Sequence, residues 1–475
     1  MSFLEALLVA EARQRQRAAR SASVRHRRLA AQPFVIMPWQ LGAEPFTAAA
    51  VAWGFEPSTR KIAVPGEPRD RELAFRALLL VAREFNPWIE GVGRTEPAQV
   101  VVPNRGAVTL LGRLGRRLAY LSSSGEFSAD PDLITFGKHL KFLFDRSRFP
   151  GQQLIVSLTD LLSSHWVSEL SGLEAQHLPA LDAAIEPPRG KTSHEAAFKA
   201  ESTEIGPLPS GKDDEAVDVL LAAFNEQRQR RTDENVVALL RKPIEAHYAR
   251  LVDRGWGLLF RCLDRERSHP EAPHVARRWE EDQQALSRHL DWTVARGGRY
   301  RTRQTSLQAA FTLRSWEDAQ RLLEAEEAID DPLRMIPTLL ANQGVAGTVR
   351  RFDRDNFEQG AKNRVRRPIV EVETGERCTI PVGKVFWWTK TPGKREYVVD
   401  AVQHLAGGKK SLVTLKLETG ADQELPSVGD LAIFSVHSTH TGQPLKLPQQ
   451  PPWTHADPQP QAPPLEGAAD QGRWE

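Results

Sequence analysis

The sequence predicts a mainly α-helical, multi-domain protein carrying a small C-terminal antiparallel β-barrel, OB-like or SH3-like, and a disordered proline-rich tail. Three observations predict it. Apolar residues recur at helical spacing through most of the first 341 residues. Near Gly344 the period changes to strand-like alternation, and eight of the fifteen lysines fall within 341–447. After Leu447, seven prolines in 28 residues leave too little apolar surface to fold.

In chain order, residues 1–32 predict a basic N-terminal helical arm, with Leu4, Leu7 and Leu8 at its start and seven arginines against Glu5 and Glu11. Residues 33–188 predict a mostly helical domain. Within it, Asp70 to Phe85 is amphipathic and stops at Asn86-Pro87, Val100 to Val102 reads as a strand, and Gly106 to Leu121 buries one face. Asp130-Pro131 opens the next helix. Residues 189–212, rich in Pro, Gly, Ser and charge, predict a linker. Residues 213–341 predict a second helical domain, with an interruption at Pro243 and a helix start at Ser315. That last helix, Ser315 to Ile329, has an acidic edge.

Residues 342–447 predict the barrel, from strands at Val345–Phe352, Pro368–Glu373, Arg377–Thr389, Glu396–Gln403, Ser411–Leu417 and Asp430–Val436. Thr374-Gly375-Glu376 and Gly407-Gly408 supply tight turns. Residues 448–475 are the tail.

Composition sets bounds. Arginine outnumbers lysine 48 to 15, a bias of high-GC coding expected of a bacterial chain, yet the formal net charge is only +2. Attraction for a polyanion therefore has to come from local patches. Cys262 and Cys378 lie 116 positions apart, which rules out a disulfide framework or a cysteine-based zinc site. No apolar run is long enough for a membrane span, and no signal-peptide order is present, so a cytoplasmic protein is expected.

The run Lys384-Val385-Phe386-Trp387-Trp388-Thr389-Lys390 combines rings and cations. On a regular strand, Lys384, Phe386, Trp388 and Lys390 share one face. Turned outward, that face has the equipment to stack bases and track phosphates of a single strand. Arg364, Arg366, Arg367, Lys394, Arg395, Lys409 and Lys410 fall at predicted strand ends and turns, where basic loops close over a backbone. Turned inward, Phe386 and Trp388 are core.

Catalytic signatures are weak. Arg189-Gly190-Lys191-Thr192 has the end of a phosphate-binding loop, but Ile185 stands where the first glycine is required. His404, His437 and His440 lack a spacing that supplies a third metal ligand. Asp353, Asp355, Glu371 and Glu373 are of the type that chelates magnesium for phosphodiester cleavage, but Glu371-Val372-Glu373 stands where the common acidic-x-lysine nuclease order needs lysine. No cofactor is implied. The sequence thus predicts a non-enzymatic nucleic-acid-binding accessory to a larger machine, with a helicase or nuclease as the expected kind of protein partner. A protein-binding scaffold is the alternative and a divalent-metal nuclease the minor one.

Overall fold

The computed structural model describes residues 3–42, 44–126, 128–230, 234–300, 305–359, 363–418 and 424–440. The predicted tail, 448–475, lies outside them.

The N-terminal part differs from the mostly helical expectation. After α1 (Phe3–Arg15) and the short β1 (Ala19–Arg20) come β2 (Phe34–Leu41), β3 (Glu44–Gly54) and β4 (Lys61–Ala63) as an antiparallel meander. Helix α2 (Arg71–Val92) then leads to β5 (Val100–Val102), and α3 (Arg105–Ala119) with α4 (Pro131–Ser147) to β6 (Ile155–Ser157). Both β5 and β6 run parallel to β2, giving the order β4-β3-β2-β5-β6. Strand β2 is Phe-Val-Ile-Met-Pro-Trp-Gln-Leu and every residue in it is buried. A strand covered on both faces shows a continuous apolar run instead of alternation, which is why periodicity misses it. Pro38 fits because β5 pairs only with Phe34 and Val35, so no partner on that side needs its missing N–H.

The two faces of this sheet carry separate cores. Val35, Met37 and Trp39 point into one, and Phe34 and Ile36 into the other. The second face packs on α2, α3 and α4 through Val81, Phe85, Leu111, Leu114 and Phe136. The first packs on α5 (Leu158–His165) and, beyond β7 (Trp166–Val167), on α6 (Leu178–Ile185). Further along the chain come α7 (Ser193–Ala200), α8 (Gly211–Arg230), α9 (Glu234–Arg267) and α10 (His274–Leu290). Val217, Leu221 and Phe224 of α8 and Ile244, Tyr248 and Leu251 of α9 join the first core, while Leu286 and Leu290 of α10 join the second. Residues on both sides of 189–212 thus pack on one sheet. That stretch is no free linker: it holds α7, a buried Ile205, and Pro207, whose carbonyl accepts the Gln40 N–H at 2.8 Å.

Other expectations change as well. Helix α2 runs through Pro87, held by Asn86 Nδ2 donating to the Asp132 carbonyl at 2.8 Å and by the buried Ile89. Helix α9 runs through Pro243. Helix α11 (Ser306–Asp330) begins at a Thr305–Gln308 capping box, earlier than Ser315. The basic arm is built in. Strand β1 pairs with β7, Arg20 lies 4.8 Å from the Trp166 ring centroid, and Arg25 and Arg28 reach Glu271 at 3.0 and 2.7 Å.

Helix α12 (Pro332–Leu340) feeds β8 (Gly344–Asp353), followed by a two-stranded ribbon of β9 (Phe357–Gln359) and β10 (Arg364–Arg366). Then come β11 (Ile369–Thr374), β12 (Val385–Trp388), β13 (Tyr397–Leu405), β14 (Lys410–Leu417) and β15 (Leu431–Ser435). Six of these strands close as β11-β14-β13-β12-β15-β8, all pairs antiparallel. Closure removes sheet edges, which lets so small a sheet stand without exposed pairing groups. Among the described residues no helix is long and apolar enough to cross a membrane.

Candidate nucleic-acid interface

The expected ring platform is turned inward. Strand β12 spans only four residues, and Phe386 is 0% and Trp388 2% exposed, packed in the barrel core with Tyr397 and Phe434. Val385 and Trp387 face outward and are half-buried. The reason is local. Gly383 takes a φ of 86°, available to glycine, and its N–H donates to the Val399 carbonyl at 2.8 Å, so Lys384 enters the strand from a turn. Beyond Trp388 the chain turns again, with the Thr391 N–H donating to the Trp388 carbonyl at 3.0 Å. The lysines therefore lie outside the regular strand whose alternation was to align them with the rings. Lys390 Nζ lies 5.4 Å from the Trp388 ring centroid, covering the ring with the chain's own cation.

Strand register then sorts the basic residues between two ends of the barrel. Gly344 pairs with Ser435 and Thr374 with Ser411 at one end, while Asp353 pairs with Ile369 and Tyr397 with Leu417 toward the other. The first end meets the helical layers: Thr379 N–H donates to Asn342 Oδ1 at 3.0 Å, Val436 N–H to the Gln343 carbonyl at 3.0 Å, and Thr338 Oγ1 bonds His437 Nε2 at 2.8 Å. Lys384, Lys409 and Lys410 belong to this near end, and Lys410 Nζ is bound to Glu373 Oε1 at 3.0 Å. Arg364, Arg366 and Arg367 lead into Ile369 at the far end, and Arg395 precedes Tyr397 there. Lys390 and Lys394 stand on the turn before it, whose Pro392 carbonyl accepts from Thr439 Oγ1 at 2.9 Å.

The ribbon at the far end was not anticipated. Arg364 pairs with Gln359 and Arg366 with Phe357, so these four side chains share one face, while Glu358 and Val365 share the other. Glu358 is turned toward Lys416, 3.2 Å from its Nζ, and this hydrogen bond raises the lysine's pKa. The opposite face stacks the Arg364 guanidinium 5.3 Å from the Phe357 ring centroid, with Phe357 44% exposed. Arg366 pairs with Asp355 at 3.0 Å and Arg367 with Glu418 at 3.3 Å. The ribbon belongs to no larger sheet, and a two-stranded ribbon alone is marginal in water. Its hairpin signal in the sequence was two short runs, Phe357 to Gln359 and Arg364 to Arg366, around a glycine-led spacer.

Arg395 is not a surface residue. It is 3% exposed and sits on the core side of its chain, two positions before Tyr397. The carboxylates of the nuclease alternative are taken by cations: Glu371 and Asp353 by Arg351 at 3.3 Å each, Glu373 by Arg350 at 2.9 Å and Lys410. These bonds hold the Glu373 carboxyl below its ordinary pKa and raise that of Arg350. The acidic edge of α11 is likewise partly spent: Glu326 is buried against Arg278, and Asp330 bonds His274 Nδ1 at 2.8 Å. Cys378 is buried and its thiol pKa raised by desolvation, which makes it inert. No family model matches the chain, and neither a curated protein nor a solved structure matches it.

Proposed function

We propose that the protein is a non-enzymatic nucleic-acid-binding accessory of a larger bacterial machine, acting in the cytoplasm, and that the far end of its barrel makes the contact. In this reading the barrel is a separate binding domain of OB-like or SH3-like type, and the helical layers hold it. The observation that carries the proposal is the ribbon face on which Phe357, Gln359, Arg364 and Arg366 stand together while Glu358 points away. A ring stacked by a guanidinium accepts a base on its exposed part, an amide reads base edges, and the exposed Arg364 binds phosphate bidentately. A single strand suits this arrangement, since stacking needs an unpaired base.

Fluorescence anisotropy with labelled single-stranded oligonucleotides over a range of salt tests it. Binding is expected to weaken as salt rises. The double variant Phe357→Ala, Arg364→Glu is expected to bind at least about tenfold more weakly with an unchanged circular dichroism spectrum. Absent or salt-independent binding, or a variant that binds like the wild type, overturns the proposal.

A protein-binding role has its own observation. Leu431 is 74% exposed, on the same outer face as the half-buried Ile433, and Trp387 stands outward on the adjoining strand. Stoichiometric co-purification of a partner that Trp387→Ala abolishes, without retained nucleic acid, favours that role instead.

A further inference from the structure

We propose that the far mouth of the barrel is a phosphate site, with Arg395 as its buried anchor and Tyr397 and Thr391 as neutral hydrogen-bond donors; the inference rests on the nucleic-acid reading and names what that end recognises. Three polar side chains fall within one turn and the strand that follows it: Thr391 is 8%, Arg395 3% and Tyr397 0% exposed. Thr391 Oγ1 and Arg395 Nη1 are buried and without a hydrogen-bond partner among the described residues, and the buried Tyr397 hydroxyl lies against the Arg395 side chain. Residues 395 and 397 alternate to the same, inner side of β13, where the Tyr397 ring packs edge-on against Phe434 with centroids 4.9 Å apart.

A guanidinium withdrawn from water needs a counter-charge, because an unpaired buried ion costs several kcal/mol. No carboxylate among the described residues lies in an ion pair with Arg395. Neighbouring Glu396 belongs to the opposite side of the strand by alternation, and the nearest ionisable partner is Tyr397, whose hydroxyl burial pushes up to about 12. That phenol is neutral at physiological pH, so it donates a hydrogen bond and leaves the charge uncompensated. Lys390 and Lys394, both exposed, flank the mouth from the turn and add attraction without occupying it. A compact dianion with several acceptor oxygens suits this set: it pairs with the guanidinium and accepts from the Thr391 hydroxyl and from the Tyr397 O–H, whose proton the contact with Arg395 leaves free to donate. A terminal phosphomonoester of a strand lying on the ribbon face is such a group, and inorganic phosphate shares its chemistry.

The test compares the full chain with Arg395→Gln and Thr391→Val, each checked for fold by circular dichroism. Oligonucleotides of one sequence, with and without a 5′-phosphate and separately a 3′-phosphate, are titrated by anisotropy, and inorganic phosphate by thermal shift. The expected result is at least about tenfold tighter binding of one phosphorylated end. That preference falls to near unity in Arg395→Gln and shrinks in Thr391→Val. A thermal shift by inorganic phosphate that Arg395→Gln abolishes, with no preference between oligonucleotide ends, supports the site with free phosphate as its ligand. Equal binding of all oligonucleotides and no phosphate shift overturns this inference and leaves the nucleic-acid proposal standing; no oligonucleotide binding together with no phosphate shift ends both. Should Arg395→Gln fail to fold, Thr391→Val and Tyr397→Phe carry the test, and an end preference unchanged in both overturns it.

Discussion

The inward turn of β12 makes the two adjacent tryptophans behave oppositely on truncation. Trp388 is 2% exposed and shares its core with Phe386, Tyr397 and Phe434, so Trp388→Ala removes a large ring from a closed barrel with no room to collapse. Such truncations cost about 3–5 kcal/mol, from lost transfer energy plus the cavity left behind. Folded proteins are stable by roughly 5–15 kcal/mol, so the loss is about a fifth or more of the total. Trp387, half-buried on the outer face, loses only part of that area and leaves no enclosed cavity; its truncation is expected to cost about 1 kcal/mol. Urea titrations of both variants, followed by far-ultraviolet circular dichroism, separate the two. With a urea m-value of about 2 kcal/mol/M, the Trp388→Ala midpoint falls by at least roughly 1.5 M and that of Trp387→Ala by about 0.5 M. A Trp388→Ala protein that melts like the wild type while losing oligonucleotide binding refutes the inward assignment and restores the strand itself as the binding platform.

Four further perturbations follow from the helical layers. Gly115→Ala gains helix propensity, but the new Cβ sits 2.5 Å from the Lys141 backbone nitrogen, so a net loss of about 1–2 kcal/mol is expected. Gly257→Ala, whose Cβ meets nothing within 4 Å on α9, is expected to gain up to about 1 kcal/mol; thermal melts read both signs. Glu326→Gln removes the negative charge opposite the buried Arg278, whose Nε donates to it at 2.7 Å, and is expected to cost about 3 kcal/mol or more, measured by the same melts. Burial works to raise the Asp331 carboxyl, but hydrogen bonds from His26, Ser23 and Leu333 outweigh it and hold the group at about 2, against 3.8 when free. A depressed carboxylate contributes stability that is complete above the free value and is lost as pH falls through the folded one. Between about pH 4 and pH 2 the wild type should therefore lose roughly 1–2 kcal/mol that Asp331→Asn does not lose, visible as converging melting curves.

What was legible in the sequence follows the wetness of each element. Strands β8, β11, β13, β14 and β15 show one inner and one outer face, so alternation placed them within a few residues, and Asp130 and Asp70 announced helix starts because their side chains accept backbone N–H groups there. Strand β2 was hidden because α-helices cover both of its faces. Pro87 and Pro243 were read as breaks because local cost was visible and tertiary burial was not. In β12, Val385-Phe386-Trp387-Trp388 has no polar residue to mark a side, so its facing was assigned from two lysines that belong to the turns.

The regrouping of the basic residues has a geometric cause that no linear reading contains. Going round the closed barrel, each antiparallel pairing carries the register along, until Gly344 and Asp353 of the same strand stand at opposite ends. Neighbours in sequence such as Lys390 and Lys384 are thereby drawn apart, while Tyr397, at the start of β13 and two residues beyond Arg395, comes level with Leu417, whose N–H donates to the Pro368 carbonyl at the base of the ribbon. The near end is consumed by its seam with α12, through Asn342, Gln343 and Thr338. Among the described residues of the barrel, the far end presents a ring, guanidinium groups and the buried Arg395. Recognition by this barrel, if it is of a polyanion, therefore has to proceed from its mouth and ribbon and not from the side of any one strand.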